Sequence, residues 1–335
     1  MTYAIVVVGY NRVAEMKRLF TSLYNSKLRN IKADLIVSLD YSCMQEKLKK
    51  MAEQFEWKHG NKTIRAFSEK QGLRKHILQC GDLTERYDAV IVLEDDLVVA
   101  EGFMQYVVAA VEAYKDDDKI AGISLYTHQT NPGNGRFFEA QFNGYDVFMM
   151  QYAQSWGQCW TRKMWTGFIE WYSLQGDELV ADEKFPNYIA CWNKQSWLKY
   201  YTKYTVEQGK YHVYPYHSLT TNGSGVGEHN DEIKTSYQVS LQYGMCENYR
   251  FPMVEQAVKY DAFFERQFDI DPWNGQYGNV VYDIYGLRTC YGDNDTVISV
   301  RNLPYEVIRK IGLCYRPNEQ NILTHEEGEG IYIYN

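Results

Sequence analysis

A chain of 335 residues, 45% hydrophobic and 23% charged, is long enough to bury a large core and too apolar to be disordered. Its formal charge of -8 speaks against nucleic acid as a partner and gives no support for a polybasic membrane anchor. No apolar run reaches the roughly 18 residues of a membrane span, so peripheral membrane association is the most that is expected.

Residues 3–8 are apolar and β-branched and predict a buried strand. They follow Met1 and Thr2 with no charged leader or cleavage site, so no secretory signal is expected. Gly9, Tyr10, Asn11 and Arg12 break the strand. Over residues 13–27, Met16, Leu19, Phe20 and Leu23 recur at helical spacing. A second apolar run, residues 35–39, ends in Asp40. Leu48, Met51 and Phe55 share one face of a helix over 45–55. A short strand is predicted at 64–67 and a helix at 72–80. Residues 89–93, Ala-Val-Ile-Val-Leu, are a third buried strand and run straight into Glu94, Asp95 and Asp96.

A helix over 102–114 and a strand over 120–125 come next. A Gly/Pro/Asn loop at 131–135, a Trp-rich stretch at 155–171, a strand at 211–214 and a Gly-rich loop at 220–229 complete this part. Past residue 246 the texture turns β-rich, with strands at 280–285, 296–300 and 330–334 and a short helix at 304–311. The alternation predicts an α/β fold with a mostly parallel sheet and flanking helices. The expected division is 1–245, with halves 1–125 and 126–245, and a C-terminal β-rich appendage at 246–335. Ligands of such folds bind beyond the carboxyl ends of the strands, which is where Asp40 and the acid triad fall.

Three consecutive acids after an apolar strand are costly unless they are paired or hold a cation. Such carboxylates suit Mg²⁺ or Mn²⁺, which take oxygen ligands and bridge a diphosphate. Seven dispersed cysteines without a CxxC pair suit reduced thiols, a cytoplasmic setting and a default role as small core filler. Thirty tyrosines supply rings with a polar tip, a surface that suits carbohydrate as well as simple packing. No P-loop, GxGxxG after the first strand, HExxH or GxSxG elbow is present.

Residues 5–23, residues 35–40 and the run from Ala89 through Asp96 together resemble the GT-A fold glycosyltransferases. The similarity is to the N-acetylglucosaminyltransferase I group and to bacterial family 2 sugar transferases, over about residues 3–230. The segment Ser155-Trp156-Gly157-Gln158-Cys159-Trp160 resembles a Trp-Gly segment of the bacterial members. The resemblance implies a Rossmann-like sheet, a UDP-sugar donor, a glycan or lipid-linked glycan acceptor, and inverting single displacement with Mn²⁺ or Mg²⁺. With no leader and with dispersed cysteines, a cytoplasmic protein is expected, at the inner face of the membrane at the furthest.

By the same resemblance Asp96 is the metal ligand, and Glu94 and Asp95 contact ribose and donor sugar. Arg12 meets the diphosphate, Asp40 reads the uracil edge and His76 lies near the base. His229, after Gly223, Gly225 and Gly227, is a second metal or diphosphate contact, with the loop 217–230 ordering on the donor.

The family's catalytic acid before a Trp falls here on Gln195-Ser196 in Trp192-Asn193-Lys194-Gln195-Ser196-Trp197. The nearby acids Asp177, Glu178, Asp182 and Glu183 are the alternatives, with Asp182 or Glu183 preferred as base. Trp156, Trp160, Trp192 and Trp197 are candidates for an acceptor-sugar platform, and Trp165 and Trp171 for the core. Two other functions stay open: a nucleotidyltransferase acting on sugar phosphates, and a catalytically silent nucleotide-sugar or carbohydrate-binding protein of the same fold.

Overall fold

The computed structural model describes residues 1–223 and 237–335. Its first third alternates as the apolar runs predict: β1 (Tyr3–Gly9), α1 (Val13–Asn25), β2 (Asp34–Leu39), α2 (Gln45–Gln54), β3 (Lys62–Ala66), α3 (Leu73–Gly81) and β4 (Ala89–Glu94). The middle comprises β5 (Leu97–Val99), α4 (Phe103–Tyr114), β6 (Ile120–Ser124), β7 (Val147–Met150), β8 (Gln158–Thr161), α5 (Arg162–Tyr172), α6 (Asn187–Ala190), α7 (Leu198–Glu207), β9 (Tyr211–Pro215) and β10 (Thr220–Asn222). The last part carries β11 (Lys259–Tyr260), β12 (Arg266–Gln267), β13 (Asn279–Asp283), β14 (Asp295–Ser299), β15 (Val307–Gly312), α8 (Glu319–Thr324) and β16 (Gly330–Tyr334).

Ten strands form one sheet in the order β12-β11-β7-β9-β6-β8-β4-β1-β2-β3. It is mixed but mostly parallel, and the block β3-β2-β1-β4 is wholly parallel. The cause is visible in β1. All seven of its residues are buried, because helices cover both faces of a parallel sheet. Ile5 and Val7 pack into one core layer with Leu19, Leu23 and Leu93, while Ala4, Val6 and Val8 pack into the other with Ile77 and Trp160. Each buried Val or Ile side chain stabilises by on the order of 2 kcal/mol.

The register then aligns the strand ends. Gly9 pairs with Leu39 and Val8 with Glu94, so the residues after β1, β2 and β4 emerge together at one edge. Gly9 packs so closely under α1 that an added Cβ would lie 2.2 Å from the Met16 side chain.

Several features differ from the sequence expectations. Residues 304–311 do not form a helix; β15 occupies most of that stretch and pairs with β16. Val307, Ile308 and Ile311 fit a helical and an extended period equally well over so short a run, and the partner strand decides. β5 and β10 form a small two-stranded sheet, and α8 is a short helix the apolar pattern does not announce. β11 and β12 lie on the edge of the ten-stranded sheet, while β13, β14, β16 and β15 form a separate four-stranded sheet. Of the cysteines only Cys80 and Cys159 fill core space; Cys43, Cys191, Cys290 and Cys314 are exposed. No helix among the described residues is long and apolar enough to cross a membrane.

Candidate functional site

The aligned strand ends open into a cleft of about 430 Å³. Its walls include Tyr10 and Arg12 after β1, Asp40 after β2, Gly72 and His76 at α3, and Glu94, Asp95 and Asp96 at the end of β4. The opposite wall carries Trp156, Trp192, Gln195 and Trp197.

Arg12 is the electrostatic centre. Its guanidinium pairs with Asp95 and, at 2.8 Å, with Asp96 Oδ2. Burial works against the guanidinium charge, but Asp96, Asp95 and Glu94 more than offset it and raise the Arg12 pKa. Burial pushes Asp95 up to about 6 with Arg12 opposing, and Glu94 up to about 8 with Asp96 adding to the effect. One positive side chain therefore does not balance three acids in this setting. Asp96 Oδ1 is buried and has no hydrogen-bond partner among the described residues. A buried carboxylate oxygen left in this way costs free energy until a cation or donor reaches it.

Replacing Arg12 by Gln should therefore lower stability by about 2–4 kcal/mol at neutral pH, because Asp95 keeps its burial and loses its partner. Added Mn²⁺ should recover part of the loss. Thermal unfolding with and without the ion measures both effects, and a variant as stable as the parent would contradict the pairing.

Asp40 is held by the backbone. Its Oδ1 accepts from the N–H groups of Tyr41 (2.8 Å) and Gln71 (2.7 Å), and Oδ2 accepts from Gly72 (3.0 Å). Gly72 has φ +77°, a conformation that favours glycine, and this turns its N–H toward the carboxylate. Asp40 thus ties the 71–72 turn to the end of β2 while still facing the cleft.

His76 is 2% exposed, contacts the edge of the Phe67 ring and sits 2.6 Å from Ser38 Oγ through Nε2. Ser38 Oγ accepts from Arg65 Nε at 3.0 Å, which suits a neutral imidazole taking the hydroxyl hydrogen. Burial lowers the His76 pKa to about 4, with Asp40 acting in the opposite sense and Arg65 adding to the lowering. The unfolded chain therefore binds the extra proton first. Stability falls as pH drops from about 6.5 toward 4, by on the order of 2–3 kcal/mol. His76→Asn should flatten that part of the melting-temperature profile; an unchanged acid slope would show that His76 does not titrate there.

The acceptor-side residues divide. Trp156 and Trp192 are half-buried and Trp197 is 3% exposed, and all three line the cleft. Trp160 does not reach it. β8 runs between β4 and β6, and its alternation turns Trp160, 0% exposed, into the core against Trp165, Trp197 and Tyr201. Trp165 and Trp171 are buried, as expected.

Asp182 and Glu183 are not brought to this cleft. Asp182 pairs with Lys203 at 2.5 Å and caps its own turn through the N–H groups of Lys184 and Phe185, both at 2.8 Å. Glu183 lines a different cavity. Among the described residues that line the cleft, the carboxylates are Asp40, Glu94, Asp95 and Asp96. Gln195 and Ser196 face it where the resemblance places an acid. His229 lies outside the described residues.

Some cleft residues carried no recognisable signal. Asn222 and Tyr237 reach it because β10 pairs antiparallel with β5 just beyond the triad. The N–H of Gly223 donates to the Asp96 carbonyl at 2.7 Å, and the Tyr237 carbonyl accepts from Tyr126 Oη at 3.0 Å. The short apolar run Leu97-Val98-Val99 after the acids was the available hint of that strand pair.

No protein-family model matches the chain, and no curated protein matches it. Solved structures with a similar course of chain include residues 1–349 of S. aureus TarS, at TM-score 0.43 and 10% identity over 67% of this chain and 61% of that one. The same protein in complex with UDP-GlcNAc gives 0.44 and 10%, over 68% and 60%. The mannosyltransferase PcManGT from Pyrobaculum calidifontis, in complex with GDP-Man and Mn²⁺, gives 0.33 and 10%, over 51% and 46%. The matches to TarS span about three fifths of the solved chain.

Proposed function

We propose that this chain is a glycosyltransferase that moves a sugar from a nucleotide-sugar, a UDP-sugar, to a glycan or lipid-linked glycan by inverting single displacement. The observation that carries the reading is Asp96 Oδ1, buried and without a hydrogen-bond partner among the described residues, beside Arg12 at the carboxyl edge of a parallel sheet, in a cleft also lined by Trp156 and Trp192. Buried unpaired carboxylate is unfavourable as a resting arrangement and suits a site that is completed by a cation.

The residues present fit Mn²⁺ or Mg²⁺. Among the described residues no group of three His, Cys, Asp or Glu side chains converges as a cage. An ion held by one or two carboxylates and completed by phosphate oxygens needs none. Asp96 would hold it, with Asp95 kept in place by Arg12. Such an ion supplies charge neutralisation on a departing diphosphate.

The chain's own contribution is positioning. The Asp40 turn and His76 shape the end of the cleft beyond β2. Arg12 keeps positive charge next to the carboxylates where phosphates would approach. Trp156 and Trp192, both half-buried, offer ring surface to the C–H side of a saccharide, with Trp197 buried. Together they exclude water and hold donor and acceptor in one orientation, which is where much of the rate of such a transfer arises.

A second reading is favoured by Gln195 and Ser196 in the cleft: a nucleotide-sugar-binding protein without turnover. Calorimetry with UDP, with and without Mn²⁺, together with product analysis on UDP-sugars separates the outcomes. The transferase reading expects Mn²⁺-dependent UDP binding and release of UDP. Binding without release supports the silent protein, release of pyrophosphate supports a nucleotidyltransferase, and no UDP binding in either condition overturns the reading.

A further inference from the structure

Away from the cleft, a cavity of about 700 Å³ lies between the β11–β12 edge of the large sheet and β13 of the small one. Its lining combines rings, Phe268, Tyr282 and Tyr291, with carboxylates including Asp261, Glu265 and Asp295. Phe268 and Tyr282 have centroids 5.1 Å apart and a tilt of 53°, forming a bent aromatic wall.

The acids there are mostly spoken for. Asp261 pairs with Arg288, and Asp269 with Lys259 at 2.6 Å. Asp271 accepts from the N–H groups of Trp273 and Gly275, and Asp295 from that of Gly292 and from Asn279. Their charges are offset or solvated by donors, yet each carboxylate keeps lone pairs that a hydroxyl can use. An anion would meet six acids against three basic side chains (Lys184, Arg266 and Arg288), so the lining disfavours an anionic ligand.

Two groups of the lining are not fully satisfied among the described residues. Glu265 is 1% exposed; its Oε1 accepts from the Tyr285 N–H at 2.8 Å, and its Oε2 has no partner among the described residues. Arg266, which also lines the cavity, has a buried Nε without a partner among the described residues. An unpaired acceptor and an unpaired donor next to a ring wall match a ligand whose groups both donate and accept, and whose carbon face is apolar.

We propose that this cavity is a second saccharide-binding site, specific for neutral sugars and separate from the donor cleft. It engages a glycan chain by ring stacking on Phe268 and Tyr282 and by hydroxyl hydrogen bonds to Glu265 and its neighbours. The assignment does not depend on the transferase reading, and its failure would leave that reading untouched.

The test uses the full chain with UDP and Mn²⁺ added, and four neutral probes: cellohexaose, maltohexaose, mannohexaose and chitohexaose. Saturation-transfer NMR and titration calorimetry read binding, with hexagalacturonate as the anionic comparison. At least one neutral hexaose should bind, and hexagalacturonate should bind at least about tenfold more weakly. Val281→Trp, which fills the cavity, and Phe268→Ala, which removes a ring, should each weaken the neutral probe by about tenfold or more. Leu174→Ala, at an exposed residue outside both linings, should leave it unchanged. Two variants with unaltered melting temperature guard against unfolding. The proposal is overturned if no neutral probe binds, if hexagalacturonate binds equally well, or if Val281→Trp and Phe268→Ala both leave binding of the neutral probe unchanged.

Discussion

Asp96→Ala should reduce UDP-sugar turnover by about a thousandfold or more and remove its dependence on Mn²⁺ or Mg²⁺. Asp96 joins two roles. Oδ2 holds Arg12 at 2.8 Å, and Oδ1 is the buried oxygen without a partner among the described residues. Removing the side chain deletes the position where a cation would be held and leaves Arg12 to Asp95 alone. Asp96→Asn keeps the volume and removes the charge, so it should fail almost as badly in turnover while folding normally. Slow hydrolysis of the UDP-sugar by water, followed as UDP release, reads the effect without a known acceptor. Mn²⁺ titration in the presence of UDP reads it without turnover. Full donor consumption by Asp96→Ala, with unchanged metal affinity, would remove the basis of the site assignment.

Trp160→Ala should cost about 3–5 kcal/mol of folding stability and leave saccharide affinity untouched at temperatures where the variant is folded. The residue is 0% exposed, between Trp165, with centroids 4.7 Å apart, and Tyr201 at 5.8 Å, so truncation opens a cavity that the surrounding rings cannot close. Trp192→Ala should show the opposite profile: a small change in melting temperature and weaker acceptor binding, since the ring is half-buried at the cleft wall. Chemical denaturation and saccharide titration on both variants decide between a packing role and a platform role. If Trp160→Ala lost acceptor affinity while keeping its stability, its placement in the core would be wrong.

The parallel half of the fold was legible because doubly covered strands are apolar over most of their length, as β1, β2 and β4 are apart from Ser38 and the terminal Asp34 and Glu94. The acid triad was legible because charge directly after such a strand demands compensation. Arg12 was assigned to a diphosphate by resemblance alone; the structure adds that Asp95 and Asp96 hold it in place. By contrast, β7, β12 and β15 are short or two-faced, and their partner strands give them their structure. Sequence proximity to Gln195-Ser196 suggested Asp182 and Glu183 as base. In the fold, Lys203 holds the first and a different cavity takes the second.

By itself the chain determined an alternating α/β order, a set of buried strands and an acidic edge at their carboxyl ends. Each of these follows from local periodicity and from the cost of unpaired charge. Tertiary structure alone decided which tryptophans face the cleft, that Asp40 anchors a backbone turn, and that Asp96 keeps an oxygen unmatched among the described residues. Those outcomes depend on strand register and on contacts between residues far apart in the chain. A one-residue shift in pairing reverses every side chain of a strand, and no local pattern encodes its partner.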